Sequence, residues 1–178
     1  MRAGLNKGAW FAIGIAIAVA ILTPMFFSGR STPSGPSGLA GTNAPVFALR
    51  DDRGANASLD AYRGKIVVMN LWASWCPPCR AEMPDLQRLE KAYGRYNVVV
   101  VGVNEGESAE RASAFAKSLA IAFPIWVDSD QQYGRIYAAL GLPTTVVIGP
   151  DGVVKKGFDG ALTYAQMEAA VQPLVQKT

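Results

Sequence analysis

An α/β sandwich with a mixed sheet and helices on both faces is what this 178-residue sequence predicts. Three observations lead there. Two near-continuous apolar runs, at 66–73 and 97–103, read as strands buried on both sides. Segments with helical spacing alternate with short strand candidates along the rest of the chain. A strong turn, Gly149-Pro150-Asp151-Gly152, closes a hairpin near the C-terminus.

The elements follow in order. Residues 46–49 and 57–59 are short strand candidates around the turn-rich Asp51-Asp52-Arg53-Gly54. After the strand at 66–73, Met83, Leu86, Leu89 and Tyr93 recur at helical spacing. The strand at 97–103 comes next, and Ser108 then opens a helix running to about Ala120. A short strand is expected at 125–127 and a helix at 130–140. Strands at 144–148 and 153–157 straddle the hairpin turn. Thr163 starts the last helix, with Met167, Ala170, Val171 and Leu174 on its apolar side.

The N-terminal segment has a different character. Residues 9–27 are apolar except for Thr23 and Pro24, and as a helix they span roughly 28 Å, close to the hydrocarbon thickness of a bilayer. Arg2 and Lys7 precede them, which places the N-terminus in the cytoplasm and the rest of the chain outside. The run reads as an uncleaved transmembrane anchor. A cleaved signal peptide competes with that reading, although its small-residue site, Gly38-Leu39-Ala40, lies far beyond the apolar stretch. Ser, Gly and Pro dominate 29–43, the composition of a flexible linker. The expected organisation is therefore a cytoplasmic stub and anchor at 1–28, a linker at 29–43 and a folded domain at 44–178.

Composition excludes several functions. Arg2, Lys7 and Arg30 are the basic residues before residue 44, and no acid accompanies them; beyond it 14 basic residues match 14 acidic ones. The net charge of +3 thus belongs to the N-terminal segment, and the folded part offers no argument for nucleic-acid binding. The sequence has two Cys and no His, so a Ser-His-Asp or Cys-His site is excluded and a Cys/His zinc site lacks ligands.

The chemistry lies in LWASWCPPCRAEMPDL, residues 71–86. A buried strand ends, and Cys76 falls at the start of the following helix. Unpaired backbone N–H groups and the helix dipole favour negative charge there. They lower the Cys76 pKa below that of a free thiol, and the thiolate is the attacking species in disulfide exchange. Cys79 lies one turn deeper, within reach to displace a substrate from a mixed disulfide. Pro77 suits the first helical turn, where its missing N–H costs nothing, and Pro78 adds rigidity. A metal site would need further ligands that the sequence lacks. The pair reads as a redox couple with no cofactor beyond its own disulfide. Glu82, three residues after Cys79, shares its helix face.

WCPPC after an apolar strand resembles the thioredoxin superfamily. Pro84 matches the proline inside that superfamily's active-site helix. Residues 141–145, GLPTT, are similar to its cis-proline loop. The resemblance implies that Pro143 is cis and lies beside Cys76. It further implies that Leu142, Pro143 and Thr144 meet a docked substrate together with Trp75, Pro77 and Pro78. The finer resemblance, over about 44–175, is to the membrane-anchored TlpA/ResA/CcmG branch. The entry at 44–76 is similar to that branch's opening hairpin and first core strand, and 106–128 looks like its central insertion. The expected fold is then a thioredoxin-like three-layer α/β/α sandwich with an N-terminal hairpin and that insertion. Asn70 stands where ordinary thioredoxins carry a buried Asp, so that proton route is absent. By resemblance to ResA-like proteins, Glu82 accepts the Cys79 proton instead. Trp72, Trp126 and Tyr133 read as core.

These features imply an extracytoplasmic thiol–disulfide oxidoreductase at the inner membrane. In this reading Cys76 attacks a disulfide in an extracytoplasmic protein, and Cys79 resolves the mixed disulfide. A membrane electron donor of the DsbD/CcdA kind restores the dithiol. The family's usual substrates are apocytochrome c or a copper-site protein. Three alternatives use the same two cysteines. They are a dithiol oxidase of opposite redox poise, a Cu(I) chaperone, and a peroxidase, whose usual Thr-x-x-Cys is missing because Ala73 stands three before Cys76.

Overall fold

The computed structural model describes residues 36–175. The first strands, β1 (Leu49–Asp51) and β2 (Asn56–Ala57), form a tight hairpin. Its first strand begins three residues later than the pattern suggests. Upstream of it the Pro45 and Phe47 carbonyls accept from tyrosine hydroxyls instead of from a neighbouring strand, and at its other end Asp51 Oδ1 accepts from Arg53 N at 2.9 Å and Ala55 N at 2.8 Å and closes the turn. Leu59 is not in a strand. It starts a 3-10 turn, Leu59–Tyr62, capped by the Ser58 hydroxyl.

Then come β3 (Ile66–Trp72), α1 (Pro77–Tyr93), β4 (Val98–Glu105), α2 (Ala109–Ser118) and β5 (Ile125–Asp128). A short α3 (Gln132–Ile136), β6 (Thr144–Ile148), β7 (Val154–Asp159) and α4 (Tyr164–Val175) complete the order. The helix expected at 130–140 shrinks to α3. Gln131 and Ala138 both adopt positive φ, 55° and 51°, and these left-handed residues bound it on either side.

Seven strands make one sheet in the order β2-β1-β5-β4-β3-β6-β7. The central β3, β4 and β5 are parallel, and the outer strands are antiparallel to their neighbours. Every residue of β3 is buried, which explains a pattern that is apolar at every position but Asn70. On one face, Ile66, Val68 and Trp72 pack with Met83, Leu86 and Leu89 of α1, Ala112 and Ala116 of α2, and Met167, Ala170 and Val171 of α4. On the other, Val67, Met69 and Leu71 pack with Val101, Val103, Trp126, Tyr133 and Tyr137. Helices do cover both faces, but unequally. The second layer is thin, made of α3 and the chain around 39–49. Tyr133 and Tyr137 hold that chain by donating to the carbonyls of Phe47 at 2.6 Å and Pro45 at 2.8 Å.

The expected linker at 29–43 is partly structured. Residues Pro36–Leu39 form a 3-10 turn, and the chain from Gly41 pairs with β7. Gly41 N donates to Val154 O, Val154 N to Thr42 O, and Ala44 N to Gly152 O, each at 2.8–2.9 Å. Asn43 bridges to Val153. The folded domain therefore starts before residue 44. The expected anchor at 9–27 and the start of the linker lie outside the described residues. Among the described residues, no helix is long and apolar enough to cross a membrane.

Candidate functional site: a disulfide at a helix N-terminus

β3 ends at Trp72, and the chain turns sharply before α1. Cys76 N donates to Ala73 O at 3.2 Å and closes the turn at 73–76. Cys76 is the N-cap of α1, with extended backbone, and its Sγ accepts from Cys79 N at 3.3 Å. Pro77 and Pro78 occupy the first helical turn, where no N–H is needed. The site expected at Cys76 and Cys79 is thus a Cys76–Cys79 disulfide, with Cα atoms 5.3 Å apart. Cys76 is 3% exposed and Cys79 fully buried, while Trp75 beside them is 60% exposed. Of the pair, Cys76 is therefore the sulfur nearer solvent. It also sits against the helix N–H groups that stabilise a thiolate. Pro84 lies inside α1.

The loop before β6 meets the same end of the sheet. Leu71 of β3 pairs with Thr144 of β6, so the residues just before Thr144 neighbour the end of β3 and the turn to Cys76. The Leu142-Pro143 bond is cis, as the resemblance implies. Leu142 is half-buried against the core cluster that contains both cysteines. Thr144 is buried; its hydroxyl contacts Gly141 O at 2.8 Å and Asp159 Oδ1 at 2.9 Å, which fixes the loop.

Glu82 is not a surface residue. It is 3% exposed and faces the sheet. Asn70 Nδ2 donates to its Oε1 at 2.7 Å, and Leu162 N donates to its Oε2 at 2.8 Å. Asn70 Nδ2 also donates to Thr145 Oγ1 at 3.0 Å. Burial pushes the Glu82 carboxyl up to about 7, against the lowering effect of the Leu162 and Asn70 hydrogen bonds. A buried carboxyl titrating near neutrality, one helical turn from Cys79, suits proton exchange with a thiol.

Three further acids, Glu107, Glu105 and Asp128, lie at this end of the sheet, and sequence pattern does not single them out. Glu107 follows β4 and is buried. Its Oε2 accepts from Ser74 N at 2.6 Å and Asn104 Nδ2 at 2.8 Å; its Oε1 accepts from Ser74 Oγ at 2.6 Å and Arg111 Nε at 2.7 Å. Burial pushes its carboxyl up, but the Ser74 and Asn104 hydrogen bonds and the Arg111 charge outweigh that, and its pKa lies below the ordinary value. Glu105 and Asp128 face each other in register at the ends of β4 and β5. Burial, and then the Asp128 charge and a hydrogen bond to Asp128, push Glu105 up to about 8. A carboxyl held there favours its neutral form at neutral pH.

Comparison with known proteins agrees with this geometry. Residues 40–156 match the AhpC/TSA family. The chain is 36% identical over 167 residues to a thiol-disulfide oxidoreductase ResA of Bacillus subtilis, covering 94% of this chain and 88% of that protein. It is 39% identical over 134 residues to a ResA of Geobacillus thermodenitrificans, covering 75% and 77%. A crystal structure of a putative thiol:disulfide interchange protein DsbE from Chlorobium tepidum superposes with a TM-score of 0.72 at 28% identity, covering 76% of this chain and 97% of that one.

Proposed function

The chain belongs to the AhpC/TSA family and is a thiol–disulfide exchange enzyme similar to ResA, and on that premise we propose that it reduces disulfides in extracytoplasmic proteins. The observation that carries this reading is the stacking of three groups along one helix face: Cys76 at the cap, Cys79 buried behind it, and the buried Glu82 beyond.

In the reduced enzyme the Cys76 thiolate attacks one sulfur of a substrate disulfide. The other substrate sulfur leaves as a thiolate, and a mixed disulfide to Cys76 forms. Glu82 takes the Cys79 proton, and the new Cys79 thiolate attacks Cys76 Sγ. The substrate departs as a dithiol, and the Cys76–Cys79 disulfide remains, the form present here. Exposed Trp75, Pro77 and Pro78, with half-buried Leu142, supply the surface the substrate chain meets, and Pro143 and Thr144, both buried, meet it through their backbone. A membrane donor of the DsbD/CcdA kind restores the dithiol. Substrates of the class are apocytochrome c or a copper-site protein in respiratory-chain assembly. The apolar run at 9–27, behind Arg2 and Lys7, supports anchoring in the inner membrane with the domain outside.

The test is the reduction potential of the purified full-length chain, equilibrated against defined thiol buffers. A value near that of thioredoxin, about −270 mV, supports a reductant. A value near that of DsbA, about −120 mV, overturns it in favour of disulfide insertion.

A further inference from the structure

The turn that presents Cys76 is held from outside its own strand and helix. Its second residue, Ser74, gives both its N–H and its hydroxyl to one carboxylate, Glu107, with both contacts at 2.6 Å. That carboxylate comes from the β4–α2 connection, 33 residues away in sequence. Asn104, at the level of Trp72 in the β3–β4 register, adds a third donor at 2.8 Å. The Glu107 side chain is 4% exposed. A carboxylate buried this deeply is costly unless its oxygens are satisfied, and here four donors satisfy them. Such a fixed point leaves the turn at 73–76 little freedom, and the cap position of Cys76 depends on that turn.

Glu107 has a second effect. Arg111, on the first turn of α2, places Nε 2.7 Å from Glu107 Oε1 and donates to Ser74 Oγ at 3.0 Å. A guanidinium therefore sits against the turn two residues before Cys76. Unopposed, it would stabilise a Cys76 thiolate, and stabilising the reduced form makes a couple more oxidising. Glu107 neutralises it on the spot.

We propose that Glu107 is a positioning residue for disulfide exchange: it pins the turn at 73–76 through Ser74 and cancels the Arg111 charge, so that the couple keeps a lower potential than the helix N-terminus and Arg111 together would set. The proposal rests on exchange through Cys76 and Cys79, but not on which direction the cell uses.

The experiment compares full-length wild type, E107Q, R111Q and the double variant. Three quantities are read for each: the reduction potential, the pKa of Cys76 from its alkylation rate against pH, and Tm. The other charged groups at this end of the sheet, Arg80 and Glu82 on α1, Glu105 on β4, Asp128 on β5, Glu110 on α2 and Asp159 on β7, are the same in all four. In E107Q the Cys76 pKa falls by about half a unit, about threefold in thiolate fraction below the pKa, and the potential rises. In R111Q both move the opposite way, and the double variant returns toward wild type. A purely structural Glu107 would lower Tm without this opposition of sign. Potentials that stay put, or that move in the same direction in E107Q and R111Q, overturn the proposal. The wild-type protein in the same thiol buffers tests the exchange premise separately.

Discussion

Asn70 of β3 and Glu82 of α1 meet beneath the disulfide, with Asn70 Nδ2 donating to Glu82 Oε1 at 2.7 Å. The strand contributes an amide where an acid would compete, and the helix contributes the acid. The single titratable group of that pair is thus the one carried on the same helix as Cys79.

Replacing that group removes the proton acceptor. Wild-type turnover should rise with pH through about 7, as the Glu82 carboxylate forms. E82Q should lose that inflection and slow by about 10²-fold at pH 8. Stopped-flow reduction of a disulfide peptide across pH 5–9 checks it, and superimposable profiles would remove Glu82 from the mechanism.

Asn70→Asp places two carboxyls within 3 Å of each other in a buried site. Such a pair cannot ionise both members easily, so its second titration moves up by about a unit or more. The inflection in the rate profile should shift above 7 in N70D, in contrast to its loss in E82Q. An unchanged inflection would mean that the rate does not report on Glu82.

Glu105 carries a stability signature. Its folded pKa, about 8, is raised above the ordinary 4.5, chiefly by burial and then by Asp128. The folded state keeps a proton that the unfolded chain loses, so stability falls as pH rises from about 4.5 to about 8. Glu82 acts in the same sense up to about 7. E105Q keeps a donor toward Asp128 without the titration. Its Tm should gain on wild type as pH goes from 5 to 8.5, and a constant Tm difference would contradict the assignment.

Gly102 of β4 has no room for a methyl group. A Cβ there would meet Trp72 Nε1 at 2.9 Å and both Ile125 Cδ1 and Phe123 Cε2 at 3.0 Å. Gly102→Ala should cost about 1–3 kcal/mol by overpacking, read from urea unfolding followed by tryptophan fluorescence. A neutral variant would show that the layer under the site repacks freely.

Some of this was legible in the sequence and some was not, for reasons particular residues make plain. The runs at 66–73 and 97–103 announce β3 and β4 because both faces of the central sheet are buried, so nearly every position is apolar, whereas the polar end of β4 at Asn104 and Glu105 carries no such mark. Cys76 is legible because strand, turn and helix follow one another locally. The limits of α3 are not, because they depend on positive φ at Gln131 and Ala138, residues with no strong left-handed preference. The burial of Glu82 depends on Asn70 and Leu162, 12 and 80 residues distant. Glu107 is one more acid in a polar loop until the fold brings Ser74 and Asn104 to it.

The pairing of residues 41–44 with β7 has a mechanical consequence. Those residues lie beside Gly152 to Val154, and Val154 is level with Ile148, which pairs with Val67 near the start of β3. Cys76 follows the other end of β3, about 20 Å away along the strand. The chain therefore enters the domain at one pole and does its redox chemistry at the opposite pole. A pull on the entry would be taken up by the hydrogen bonds to β7 and would peel them in turn, leaving the turn at 73–76 unloaded. The same pairing covers part of the β7 edge, so the stretch beside Gly152 to Val154 is closed to strand addition by another chain.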